Sequence, residues 1–370
     1  MSWKRVWRIG GEVVFWCLVV AFFVWVGSLR GHNEKQRTVG NIRIVLCDSL
    51  TRSFVTPEAI LTLLNEAGYP LYGQSVEELD LGGINDLVES HSFVRHSRSY
   101  IDYDGILTIE LYQRQPVVRI ITDKGQDFYL SNDMYVLPIQ PHATLNLPIV
   151  TGDVPLPVEM GYTGSLLAPL EQLGSELHNA EIANQERIAQ RQALRRTEKE
   201  ARDETLRKMV KGLSDEEAKK VRLQARSEER RRAERQAEQD RVEDAPYQMA
   251  INQMSNLKKK YEENYNFLTK LINFVGLTER SAEWQGQFVQ MTALRDKQAV
   301  KSQYFIEPRF ELTPRHGNYT LEFGTLDNAE EKLQRWQTFI SASVVDTRGG
   351  VVSVEYDGQV LWRAPKSENK

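Results

Sequence analysis

The alternation between two hydrophobic periods in the first third of the chain most strongly constrains its fold. Residues 42–48 alternate as in a half-buried strand, and a helix start with an N-cap hydroxyl follows at Thr56. A second short helical pattern covers residues 81–90. Residues 95–113 then read as two strands around Asp104-Gly105, a strong hairpin signal. The order strand, helix, helix, strand, strand predicts a small α+β module.

An uncharged apolar run near the N-terminus predicts a membrane anchor. A spanning helix needs about 20 mostly apolar residues, and we expect one transmembrane helix over residues 11–30, with residues 1–10 in the cytoplasm because basic residues precede the run. The alternative is a cleaved secretory signal peptide. The predicted anchor residues are Val13, Trp16, Phe22, Trp25 and Leu29.

Strand patterns resume after the first module and continue almost to the C-terminus, which predicts a second, mixed β domain. Residues 180–245 interrupt it with charges of both signs, no aromatic residue and no sustained apolar heptad. This composition predicts an inserted solvated single helix or a disordered segment. A helical apolar stripe begins at Phe267, and we interpret Phe288 and Met291 as its continuation. The polar tail, residues 365–370, is expected to be loose.

The sequence shows no constellation of residues suited to catalysis. The six histidines are scattered, and neither Cys17 nor Cys47 has the neighbours of a metal site. Asp102 and Asp104 flank a hairpin tip and are interpreted as turn residues rather than an acid/base pair. A net charge of −4 argues against a general basic field for nucleic acid. We therefore expect a non-enzymatic protein without cofactor or metal that binds other proteins, with an envelope enzyme as the alternative.

Three sequence motifs occur in an order that resembles a known bacterial family. Gln113-Arg114-Gln115-Pro116-Val117 ends the first module, and Leu147-Pro148-Ile149-Val150-Thr151-Gly152 opens the second region. The stretch from Val352 to Trp362 combines a tyrosine, an Asp-Gly pair, a valine and a tryptophan. Together they resemble the cell division family FtsQ, also called DivIB. Gln113 stands where that family commonly has an acid, and Ser353-Val354-Glu355 replaces its usual Asp-Leu-Arg.

The resemblance implies a POTRA domain over residues 39–121 and a β domain over residues 122–364, with the charged insertion inside it. It implies a single-pass type II scaffold of the divisome, in the inner membrane at the division septum, with most of the chain on the periplasmic side. FtsB- and FtsL-like proteins would be its partners, bound by addition of a strand to the sheet. The implied partner-binding residues are Val352, Val354, Tyr356, Val360 and Trp362.

Two questions stay open at the level of sequence. The Asp357-Gly358 pair fits either a turn or a bulge. The alternative function is a POTRA-bearing component of protein translocation or outer-membrane assembly. Neither the residues that a POTRA domain would use nor the role of the insertion follows from the sequence.

Overall fold

The computed structural model shows an α+β protein whose chain divides into two compact units. It describes residues 16–25, 38–48, 53–69, 71–140, 145–296, 298, 302, 304–342 and 349–364. The first unit comprises Met1–Pro116 with Ser131–Asp133 and Leu137–Leu145. The second comprises Val117–Leu130, Met134–Val136 and Asn146–Lys370.

The first unit has the strand, helix, helix, strand, strand order that the sequence predicts. Its three-stranded sheet has the order β1-β3-β2, with β1 parallel and β2 antiparallel to β3. The elements are β1 (Asn41–Leu46), α1 (Pro57–Glu66), α2 (Leu81–Glu89), β2 (Val94–Ile101) and β3 (Ile106–Gln113).

Short side chains at the element ends explain where these elements start and turn. Thr56 caps α1 by accepting a hydrogen bond from the Ala59 backbone N–H at 3.2 Å. Asp102 Oδ1 accepts hydrogen bonds from the backbone N–H groups of Asp104, at 3.0 Å, and Ile106, at 2.9 Å. Gly105 supplies the positive φ of 75° that this hairpin requires. The interpretation of Asp102 as a turn residue is therefore confirmed.

The side chain of Gln113, at the end of β3, binds backbone groups of the segment that precedes α1. Its Oε1 accepts hydrogen bonds from the backbone N–H groups of Phe54, at 2.7 Å, and Val55, at 3.2 Å. The residue is buried. A neutral amide oxygen thus satisfies two donors, as a carboxylate would, without placing a charge in the interior.

The predicted transmembrane helix over residues 11–30 is not supported and has to be corrected. Of the predicted span, residues 16–25 form a helix, and residues 11–15 and 26–30 lie outside the described residues. In the part of the chain that the structure describes, no helix combines the length and apolar character needed to cross a membrane. The helix carries Trp16, Phe22 and Trp25, while Val13 and Leu29 lie outside the described residues.

The second unit is built on a ten-stranded mixed sheet. Its strand order is β13-β12-β11-β10-β9-β7-β4-β5-β6-β8. Both β4 and β9 run parallel to β7, and β12 runs parallel to β11. The strands are β4 (Pro116–Thr122), β5 (Asp127–Ser131), β6 (Tyr135–Pro138), β7 (Ile149–Gly152), β8 (Gly164–Ser165), β9 (Phe288–Leu294), β10 (Arg309–Pro314), β11 (Thr320–Gly324), β12 (Val351–Ser353) and β13 (Leu361–Arg363).

The second unit also contains the helices α3 (Leu167–Val210), α4 (Asp215–Arg280) and α5 (Ala329–Ala342). Within α4, the C-terminal turns pack into the core against the sheet, through side chains such as Phe267 and Leu271. The helical stripe does not continue beyond Arg280, because Phe288 and Met291 belong to strand β9. Their assignment to the helix was wrong: an apolar run contains too little periodicity to separate a buried strand from a helix.

The charged insertion is helical, but it is neither a single helix nor disordered. Helices α3 and α4 are joined by a turn at Gly212, with φ of 107°, and ion pairs between them show that they run antiparallel. A capping box formed by Ser214 and Glu217 begins the second helix. We call residues 174–258 of this pair the arm. Lys258 marks its base, where a Cβ added to Gly174 would lie 3.5 Å from Lys258 Cε.

A ladder of arginines and aspartates occupies the seam of the arm, where a coiled coil would carry apolar residues. Arg191 Nη2 lies 2.6 Å from Asp244 Oδ1, and Arg187 Nη2 lies at the same distance from that oxygen. Arg195 pairs with Asp240. Hydrogen bonds from Arg195 and Arg191 hold the pKa values of Asp240 and Asp244, respectively, below their usual range. Charged side chains form the contacts between the two helices. The lack of an apolar heptad therefore did not mean that the insertion was a single helix or disordered.

Candidate partner-binding edge of the ten-stranded sheet

All five residues that were predicted to bind a partner lie in or beside one C-terminal hairpin. Strands β12 and β13 pair antiparallel, with Val352 opposite Trp362. The stretch is thus two strands rather than one closing strand. Asp357-Gly358 forms the turn region between them, with Gly358 at a φ of 73°, so it is not a bulge in a continuous strand.

The structure places Val352 and Val354 in the core, not at an edge. Both side chains are completely inaccessible to solvent. Strand β12 pairs with β11 on one side and β13 on the other, so its backbone has no free side for an added strand. An edge-strand contact through these two valines therefore has to be corrected to a packing role.

Tyr356 lies at the start of the turn and exposes half of its surface, 51%. Contacts of the two preceding residues, Val354 and Glu355, anchor the chain that leads into it. Glu355 forms an ion pair with Arg309, and the Val354 carbonyl accepts a hydrogen bond of 3.4 Å from Arg335 Nη2 on α5. Tyr356 is therefore an exposed aromatic side chain on an anchored turn, a combination suited to a binding contact.

Strand β13 is the terminal strand of the sheet. Among the described strands it has β12 as its neighbour, and the opposite backbone edge faces no strand. Leu361 and Trp362 expose 42% and 36% of their surface, and Arg363 forms an ion pair with Glu322 of β11. An edge with free backbone groups and adjacent apolar side chains can accept another strand.

A shallow groove of about 440 Å³ lies within the first unit, and one of about 430 Å³ lies beside the C-terminal turn. The second is lined by α5 on one side, including Arg335 and Phe339, and by residues 358–360 on the other. Val360, which packs partly against the core, forms part of its wall. No sequence pattern indicated this groove.

Lys332 is a buried cation close to this hairpin. Its Nζ donates a hydrogen bond of 2.8 Å to the Thr325 carbonyl and lies 5.2 Å from the centre of the Phe323 ring. Burial lowers the pKa of the ammonium group. The Asn328 backbone, in a left-handed conformation with φ of 52°, starts the turn of α5 that buries the lysine. The lysine holds α5 to the preceding loop and so fixes one wall of the groove.

Sequence reasoning located this region but missed two of its residues. Leu361 and Arg363 were not singled out, although the Asp-Gly pair at 357 signals a hairpin whose second strand contains them. If Asp357-Gly358 is taken as a turn and not as a bulge, the sequence predicts two strands, and the second of them, β13, becomes the candidate edge strand. In the described residues, no group of three histidine, cysteine or carboxylate side chains is placed to hold a metal.

Comparison with known proteins bears on the first unit. A family model described as a POTRA-like domain matches residues 38–112, which span β1 to β3 up to the last residue but one of β3. None of the curated proteins compared with the chain matches it. The chain thus contains a POTRA-like domain, a finding compatible with a role in protein interaction.

Proposed function

We propose that this protein is a non-enzymatic scaffold of the bacterial division apparatus, similar in role to FtsQ. In this proposal it links division proteins at the septum, on the extracytoplasmic side, and binds FtsB- and FtsL-like partners. It needs no cofactor, nucleic acid or small-molecule substrate for this role. The observation that carries the proposal is the outer edge of β13, which faces no other described strand, beside the exposed side chains of Leu361 and Trp362.

The physical basis of binding is the addition of a partner strand to that edge. Backbone hydrogen bonds supply sequence-independent affinity, and side chains at alternate positions select the partner. Trp362 lies opposite the buried Val352 and is only partly covered, so an added strand can bury the rest of its ring. Tyr356 offers a second aromatic contact at the turn. The POTRA-like domain supports the same kind of role.

Substitution of Trp362 tests this mechanism. Trp362→Ala should weaken co-purification of an FtsB-like partner by at least tenfold, since aromatic anchors of interfaces contribute about 2 kcal/mol or more. The fold should persist, because β13 is a short, exposed terminal strand. Tyr304→Ala is the matched control: Tyr304 is an exposed aromatic residue of the same unit outside the hairpin, and its removal should leave binding unchanged.

Two outcomes would contradict the proposal at different levels. If a variant with both Trp362→Ala and Tyr356→Ala binds the partner normally, the edge is not the contact. If a fluorescent fusion of the full chain spreads evenly around dividing cells instead of collecting at mid-cell, the division role itself is refuted. The POTRA-bearing translocation component, the alternative from the sequence, would then be the function to test.

A further inference from the structure

The far end of the arm contains a groove that the division role does not use. From Gly174 to Lys211 helix α3 advances about 55 Å at 1.5 Å per residue. The ladder of ion pairs ends at Lys199 and Glu229, whose side chains are 3.0 Å apart. From about this pair to the end of the arm the two helices line a groove of about 1000 Å³, which we call the tip groove.

The tip groove combines apolar and basic side chains. Leu206 and Val210 of α3 face it from one side and Val221 of α4 from the other, and all three are only half-buried. Seven of its lining residues are lysine or arginine, whereas three are aspartate or glutamate. The end of the arm is thus apolar in the middle and carries a surplus of positive charge.

We propose that the tip groove binds an acidic amphipathic helix of a partner protein. Leu206 and Val210 are separated by one helical turn, as an apolar stripe requires. A third helix laid between α3 and α4 would bury its own apolar stripe against them. Aspartates or glutamates that flank its stripe would meet Arg222 and Arg226 of α4.

The chemistry of the groove favours this occupant over three others. A second copy of the chain that presented its own tip groove would bring the same excess of positive charge to the contact, which repels. A nucleic acid backbone would pair with the arginines but would leave the apolar side chains uncovered. A bilayer surface binds the convex apolar face of a helix, whereas Leu206, Val210 and Val221 line a recess.

A direct binding measurement tests the proposal. The probe is a fluorescent peptide of about 20 residues, long enough to be helical, with a leucine stripe flanked by glutamates. Fluorescence anisotropy with the full chain should show saturable binding. A variant with Arg222→Glu and Arg226→Glu should bind it at least tenfold more weakly, and so should Val210→Asp.

The control variant carries the same change of net charge elsewhere on α4. Arg230 and Arg235 are exposed and do not line the groove, so Arg230→Glu with Arg235→Glu should leave the affinity within twofold. Circular dichroism checks that every variant keeps its helix content. A peptide with lysine in place of each glutamate should not bind.

Four results would overturn the proposal. They are failure of the acidic peptide to bind, equal weakening by the control variant, tighter binding of a single-stranded DNA oligonucleotide, and tighter binding of phosphatidylglycerol vesicles. The outcome is independent of the proposed division role. A partner held at β13 should still co-purify with the variant carrying Arg222→Glu and Arg226→Glu, whereas Trp362→Ala should weaken its co-purification by at least tenfold.

Discussion

The division of helix α4 between the core and the arm leads to a quantitative prediction. The fully buried side chains of the second unit's core pass from Leu166 to Phe267, and between them the part-buried Tyr265, near the end of α4, packs against this core. The arm should therefore be removable without loss of the sheet. We expect the free energy of unfolding to change by less than about 1 kcal/mol when residues 185–246 are replaced by a short glycine linker, because antiparallel helices need loops of only about 2–5 residues.

The core part of α4 should respond very differently to a small change. Leu271 is completely buried, and removing three methylene-sized groups from such a site costs about 3 kcal/mol or more. Leu271→Ala should therefore lower the Tm of the second unit by about 6–12 °C. Leu223→Ala is the matched control on the same helix: Leu223 is 58% exposed in the arm, and its loss should cost about 0.5 kcal/mol or less.

Near-ultraviolet circular dichroism provides a suitable assay, because Trp284 and Trp336 are buried in the core of the second unit. Denaturant titrations of the three proteins and the unmodified chain give the free energies. Loss of a cooperative transition on removing residues 185–246 would refute the reasoning, since the arm would then be part of the core. Equal effects of Leu271→Ala and Leu223→Ala would refute it as well.

Two further predictions concern hydrogen bonds and ion pairs. Gln113→Leu should destabilise the first unit by about 2–4 kcal/mol, because the buried N–H of Val55 and the part-buried N–H of Phe54 lose their acceptor. Thermal melting measures this, and an unchanged Tm would contradict the assigned role. Arginines lower the folded-state pKa values of Asp240 and Asp244. The two carboxylates therefore stabilise the folded arm fully above the ordinary carboxyl pKa of about 3.9. This stabilisation is lost as the pH falls through the lower pKa values of the folded state. Helix content at 222 nm should fall in that acidic window, and a variant with both residues changed to asparagine should lack this step.

The sequence alone determined the order of strands and helices in the first unit, but not its boundary, because β4 (Pro116–Thr122) lies within the predicted range 39–121 and belongs to the ten-stranded sheet. The strands and helices of the first unit are specified by residues close together along the chain: the alternation in β1 and β3, the cap at Thr56 and the Asp104-Gly105 turn. Two of its three strands are joined by a tight hairpin, so few long-range choices remain. The family model that matches residues 38–112 agrees with this local reading.

The sequence did not determine which strand of the second unit lies at its edge. An apolar residue such as Val352 fits both an edge strand that binds a partner and an internal strand of a sheet. The pairing of β12 with both β11 and β13 shows that Val352 lies in an internal strand. The parallel pairs of β7 connect residues far apart, such as Val150 with Met291. Pairing over such separations depends on the whole fold, because no local turn fixes its register.

The arm shows the same limit in another form. Its two helices are held together by arginines and aspartates, which in the sequence look like an ordinary solvated surface. Charged residues can form a seam only when a partner of opposite sign is placed across from each of them, at 2.6 Å for Arg191 and Asp244. Composition determined that the insertion would be polar, and the tertiary structure decided that its charges face each other and leave a basic groove at the end.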